Sequence, residues 1–144
     1  MEFNNVDEIY EYINTEKLPR VLDRVGNFVS DQLNETIEDE LYHGDFEPNF
    51  YQRRYKNGGY GDRNNIHINY IKPGLIEVVN ESLANGDENG NRLDSIIEYG
   101  EEYGWNRQPP PRPVFEITKD KLELGDLMSE VVIKELGNLG LESE

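Results

Sequence analysis

The chain has 144 residues and a mass of 16.7 kDa, with 30 acidic and 14 basic residues and a formal net charge of −16. That length supplies one modest core, hence a single domain over residues 1–144, and its nine tyrosines, five phenylalanines and one tryptophan exceed what a disordered acidic chain carries. The lack of cysteine excludes a disulfide framework, a thiolate zinc site and a catalytic thiol, and with only short apolar runs the sequence reads as soluble, unprocessed and without a membrane partner.

In chain order, Val6, Ile9, Tyr10 and Ile13 recur at helical spacing, with Asn5 and Glu8 placed for a capping box. Thr15 and Pro19 predict a break or restart. The strongest periodic signal follows: Leu18, Val21, Leu22, Val25, Phe28, Val29, Leu33, Ile37 and Leu41 form one apolar stripe, ended by Gly44 and Pro48. The N-terminal part, 6–43, is therefore expected to be helical, and 44–64 to be an extended basic loop rich in glycine and tyrosine.

Beyond the loop, Ile66, Ile68 and Tyr70 alternate with His67 and Asn69, and Pro73-Gly74 suits the centre of a type II turn, predicting antiparallel strands over 65–71 and 75–82. "LDSIIEYGEEYG" reads as a short helix over 93–104, and "QPPPRP" as an extended polyproline segment. "VFEIT" alternates like a strand but also suits a helix start. Leu124, Leu127, Met128, Val131, Val132 and Leu136 predict a closing helix within 119–137, weakened at Gly125. The hairpin, short helix and extended segment together occupy 65–118. The expected fold class is α+β: a long N-terminal helix and a C-terminal helix packed on a small antiparallel sheet.

Charge is unevenly distributed. Residues 1–48 hold 3 basic and 13 acidic residues, whereas 49–72 hold 5 and 1. The exceptional stretch is "FYQRRYKNGGYGDRNNI", where Arg53, Arg54, Lys56 and Arg63 are interleaved with Tyr51, Tyr55 and Tyr60 and with three glycines. Strong acidity on both sides makes it a poor electrostatic funnel for DNA. It suits either pairing with carboxylates of its own chain or docking on an acidic face of a neighbouring copy, where arginine and tyrosine are effective anchors.

Catalytic and metal motifs fail on inspection. "NGDENGNRLDSI" places Asn85, Asp87, Asn89 and Gly90 in calcium-loop register, but the twelfth position is Ile96, which cannot ligate. His43 and His67 have no metal-ligand spacing, and the many acidic pairs follow from composition. No nucleotide-binding or hydrolase motif occurs. No enzyme activity, cofactor or metal is expected.

Three stretches in this order, "YQRRYKNGGYGDRNNI" at 51–66, "SIIEYG" at 95–100 and "PPRPVF" at 110–115, resemble the phage tail-component family of small tail-completion and head–tail joining proteins. The likeness runs from about residue 18 to 136. Val114 departs from the pattern, standing between Pro113 and Phe115 where the family has phenylalanine directly, and "EITKDKLELGD" replaces an alanine-rich helix start. The resemblance implies a virion protein, made in the host cytoplasm and assembled as a ring, often a hexamer, at the neck. DNA would pass through that ring without specific binding. The implied partners are further copies and other neck, connector or tail-tube proteins. On this basis Tyr51, Arg53, Arg54, Tyr55, Tyr60, Arg63, Arg112 and Phe115 are the candidate inter-subunit contacts. The charge also fits a different class, an acidic DNA mimic that inhibits a host nucleic-acid-binding protein, though such a mimic needs neither the basic stretch nor "PPRPVF".

Overall fold

The computed structural model describes residues 2–43, 55–83, 92–100 and 110–140. It is α+β, as the periodicities require. The helix α1 (Val6–Tyr12) runs through a π turn (Ile13–Lys17) into α2 (Leu18–Ile37) and a second π turn (Glu38–Tyr42). At about 1.5 Å per residue this continuous rod spans roughly 55 Å. Its start is capped as the sequence indicates: the Glu8 amide donates to Asn5 Oδ1 at 2.9 Å, and the Glu8 carboxylate accepts from the Asn4 amide at 2.8 Å.

The expected break at Thr15 and Pro19 is instead a widened turn. Leu18 N–H reaches the Ile13 carbonyl five residues back. Proline has no N–H to donate and crowds the carbonyl four residues before it, and the π register accommodates both. The extra residue also keeps the apolar stripe in line. Ile13 and Val21 would sit about 80° apart on an uninterrupted α helix, an offset that the wider turn takes up.

Strands β1 (Ile66–Lys72) and β2 (Leu75–Asn80) pair antiparallel, with Ile66 opposite Asn80 and Ile68 opposite Val78. Pro73 and Gly74 turn between them, and Gly74 has a φ of +82°, which a type II turn asks of glycine. The sheet lies against α2 at Gly26, where a Cβ would stand 3.0 Å from Ile68 and 3.2 Å from Ile76. A larger residue there would hold helix and sheet apart.

Helix α3 (Leu93–Tyr99) ends at Gly100, in the left-handed conformation. "VFEIT" is helical and opens α4 (Val114–Leu124); α5 (Leu127–Asn138) follows. The single closing helix expected over 119–137 is therefore two helices that begin earlier. Asp126, with a φ of +50°, breaks it, while Leu127 occupies the space beside Gly125 that a Cβ would fill. Leu33, Ile37, Leu41, Tyr60, Ile97 and Val114 form the main buried cluster, which draws on α2, the second π turn, the described part of the basic stretch, α3 and α4. No helix among the described residues is long and apolar enough to cross a membrane.

Candidate interaction surface

The described part of the basic stretch folds onto the far end of the long rod. Tyr55 adopts a φ of +50°, and its ring meets that of Tyr42 with centroids 4.1 Å apart. Its hydroxyl donates to the Glu38 carboxylate, to which Lys56 Nζ also pairs at 3.3 Å. The Tyr55 hydroxyl and then the Lys56 ammonium hold the Glu38 carboxyl below its ordinary range, while burial and that same bond push the Tyr55 hydroxyl up.

Gly61 lies where the rings of Tyr42 and Tyr55 leave no room for a side chain, since a Cβ would stand 2.8 Å from each. Its amide donates to the Tyr42 hydroxyl at 3.1 Å. Asp62 closes the turn by accepting from the amides of Gly58 at 2.8 Å and Asn64 at 3.0 Å, which hold its carboxyl below the usual range. Arg63 then pairs with Asp31 on α2. Lys56 and Arg63 thus engage carboxylates of their own chain, although both side chains remain more than half exposed, at 63% and 52%.

The sequence-derived contact set is not one surface. Tyr51, Arg53 and Arg54 lie outside the described residues, as do Asn85, Asp87, Asn89 and Gly90. Tyr60 is not at the surface at all. It is 2% exposed within the core, its carbonyl accepts from Asn80 Nδ2 at 2.8 Å, and its hydroxyl has no hydrogen-bond partner among the described residues. Desolvation pushes that hydroxyl far up from its ordinary value. Its aromatic bulk was needed inside, a demand that a basic, glycine-rich context hides.

Arg112 and Phe115 form a joint between helices rather than an exposed patch. Arg112 N–H donates to the Ile97 carbonyl at 2.9 Å, and Phe115 packs half-buried against the core. The α4 start has no side-chain cap of its own; Glu98 of α3 supplies one, accepting from the amides of Phe115 and Glu116 at 3.2 Å each. Burial raises the Glu98 carboxyl above its ordinary range despite those bonds. Nothing in the sequence spacing marks Glu98, because its partners lie 17 and 18 positions away.

The exposed apolar surface lies elsewhere. On α1 no residue is buried, and Val6, Ile9 and Tyr10 are exposed; Phe3, also exposed, lies against the Tyr12 ring with centroids 5.3 Å apart. Tyr70, Ile71 and Leu75 are exposed at the hairpin tip. His67 is also exposed, 3.6 Å from the Glu81 carboxylate, and His43 Nδ1 lies 3.1 Å from the Glu38 carbonyl. No group of three or more metal-ligating side chains occurs among the described residues.

The profile of YomN, a family from the SPbeta phage region, matches residues 5–138. No curated protein and no solved structure matches the chain.

Proposed function

The chain belongs to the YomN family, and on that premise we propose that it is a phage virion structural protein of the neck or tail junction. It assembles there with further copies of itself as a ring through which DNA passes. The observation that carries this reading is the phage family match across nearly the whole chain. The order of the three tail-component-like stretches supports the place at the junction, and the exposed apolar side chains of α1 and the hairpin tip support self-association. A net charge of −16 suits a channel lining that repels the phosphate backbone and lets DNA slide. Its neighbours are other neck, connector or tail-tube proteins, and its place is the virion after assembly in the host cytoplasm.

The same charge favours a second reading, an acidic protein that occupies the DNA site of a host nucleic-acid-binding protein. Disruption of the gene in its phage, followed by electron microscopy of the lysate, separates the two. Unjoined heads and tails are expected for a junction protein. Intact, infectious virions without the chain would overturn that role.

A further inference from the structure

Asn57-Gly58 is the one place among the described residues where glycine follows an asparagine; Asn85-Gly86 and Asn89-Gly90 lie outside them. The pair carries its own chemistry. The side-chain amide of the first residue lies within reach of the main-chain nitrogen of the second, and glycine has no Cβ to obstruct the approach. Asn57 and Gly58 are both exposed, and no hydrogen bond among the described residues holds the Asn57 side chain.

What the fold adds is Asp62. Its Oδ2 accepts from the Gly58 N–H at 2.8 Å, while its Oδ1 accepts from the Asn64 N–H at 3.0 Å. The turn beyond Gly58 is fixed as well. The Gly59 carbonyl accepts from Asn65 Nδ2 and Ser82 Oγ, each at 3.1 Å, and the Tyr60 carbonyl accepts from Asn80 Nδ2 at 2.8 Å. Asp62 therefore meets Gly58 in a set geometry. Such a bond favours the carboxylate over the acid, which is why Asp62 titrates low, and by the same contact it favours the amide N–H over the amide anion. A negative charge at this distance opposes a second one forming on the nitrogen.

We propose that Asn57 is a site of spontaneous deamidation and that Asp62, by holding the Gly58 N–H, is the group that keeps it in check. In the reaction the Gly58 nitrogen gives its proton to solvent and attacks Asn57 Cγ. The new C–N bond closes a succinimide, the Cγ–Nδ2 bond breaks, and Nδ2 leaves as ammonia after taking up a proton. Water then opens the ring at either carbonyl, leaving aspartate or isoaspartate at position 57. The co-reactant is water and no electrons are exchanged.

The change matters for its neighbours. It places a new carboxylate beside Lys56, which pairs with Glu38 at 3.3 Å, and isoaspartate lengthens the main chain between that pair and the Gly58–Asp62 bond. Ageing at position 57 thus loosens the basic stretch from the long helix, whatever the chain assembles with.

Trypsin cuts after Lys56 and Arg63, so residues 57–63 are released as NGGYGDR, in which the amide-to-acid change is read by mass and placed at position 57 by fragmentation. The intact chain, its Asp62→Asn variant and the acetylated synthetic peptide NGGYGDR are aged side by side in mildly alkaline buffer. The peptide sets the unguarded rate. Deamidation is expected to be about tenfold slower in the folded chain, and Asp62→Asn, which keeps an acceptor but loses the charge, is expected to recover most of that factor. Hydrogen exchange at the Gly58 amide passes through the same anion, so it should quicken in the variant while the Gly59 and Tyr60 amides keep their rates. Equal rates in chain and peptide, or no acceleration in Asp62→Asn, would overturn the proposal. Acceleration with equal quickening at Gly59 and Tyr60 would overturn it too, because a loosened turn would then account for the gain.

Discussion

The Tyr55 hydroxyl donates to the Glu38 carboxylate, and Lys56 pairs with the same group at 3.3 Å, so the basic stretch is anchored to the acidic end of its own long helix. This answers in part why an acidic chain keeps a basic, tyrosine-rich stretch. Its described cations neutralise carboxylates that α2 and the second π turn bring together. The sign of the pH dependence follows. A carboxyl lowered in the folded state stabilises the fold above the ordinary carboxylate range, and that contribution is lost as pH falls through the lowered value. Tyr55→Phe is expected to lower stability by about 1 kcal/mol at neutral pH. The deficit should shrink as acid protonates Glu38, which denaturant midpoints measured across pH would show. A deficit that stays constant into strong acid would contradict the anchor.

Gly61 is fixed by sterics. Because a Cβ would sit 2.8 Å from ring carbons of both Tyr42 and Tyr55, Gly61→Ala is expected to cost about 1–3 kcal/mol. Thermal unfolding is the check, and a variant as stable as the parent would mean that the two rings do not clamp the turn.

Tyr60 leads to the opposite expectation. Its ring fills the core, but its buried hydroxyl has no hydrogen-bond partner among the described residues. Tyr60→Phe keeps the ring and removes the desolvation cost, so it is expected to be neutral or to stabilise by about 1 kcal/mol. Tyr60→Ala, which empties the same space, is expected to cost about 3–5 kcal/mol. Equal losses in both variants would show that the hydroxyl has a partner after all.

Glu98 titrates in the other direction from Glu38. Burial raises its carboxyl in the folded state, so the folded chain binds that proton more tightly than the unfolded one. Its contribution is therefore complete below the ordinary carboxylate value and is lost as pH rises through the raised one. Comparing wild type with Glu98→Gln over this window, the wild type is expected to gain stability relative to the variant on acidification. The Glu98 carbon chemical shift should report a midpoint above the ordinary glutamate value. A Glu98 midpoint at or below that ordinary value would refute the burial argument.

How legible the fold was depended on the range of the interactions that decide it. The α2 stripe, the Asn5–Glu8 cap and the Pro73-Gly74 turn are set by residues within a few positions of one another, and each stands where its spacing indicates. The cap that Glu98 supplies to α4 and the burial of Tyr60 depend on partners that tertiary packing brings together. The division of the last helix at Asp126 has a local trigger in Gly125, but a lone glycine weakens a helix without dictating where it ends. The exposed stripe on α1 was visible as a periodicity.

The account stands or falls on self-assembly, and the most direct measurement is the mass of the purified chain in solution, by mass photometry or light scattering, at low and high salt. Copies that each carry −16 repel one another, and salt screens that repulsion, so a contact made mainly by the exposed apolar side chains should strengthen as salt rises. The expected result is a discrete species of several times 16.7 kDa, favoured at high salt and lost in Val6→Glu/Ile9→Glu. A 16.7 kDa monomer at every concentration and salt, indifferent to that substitution, would contradict the ring.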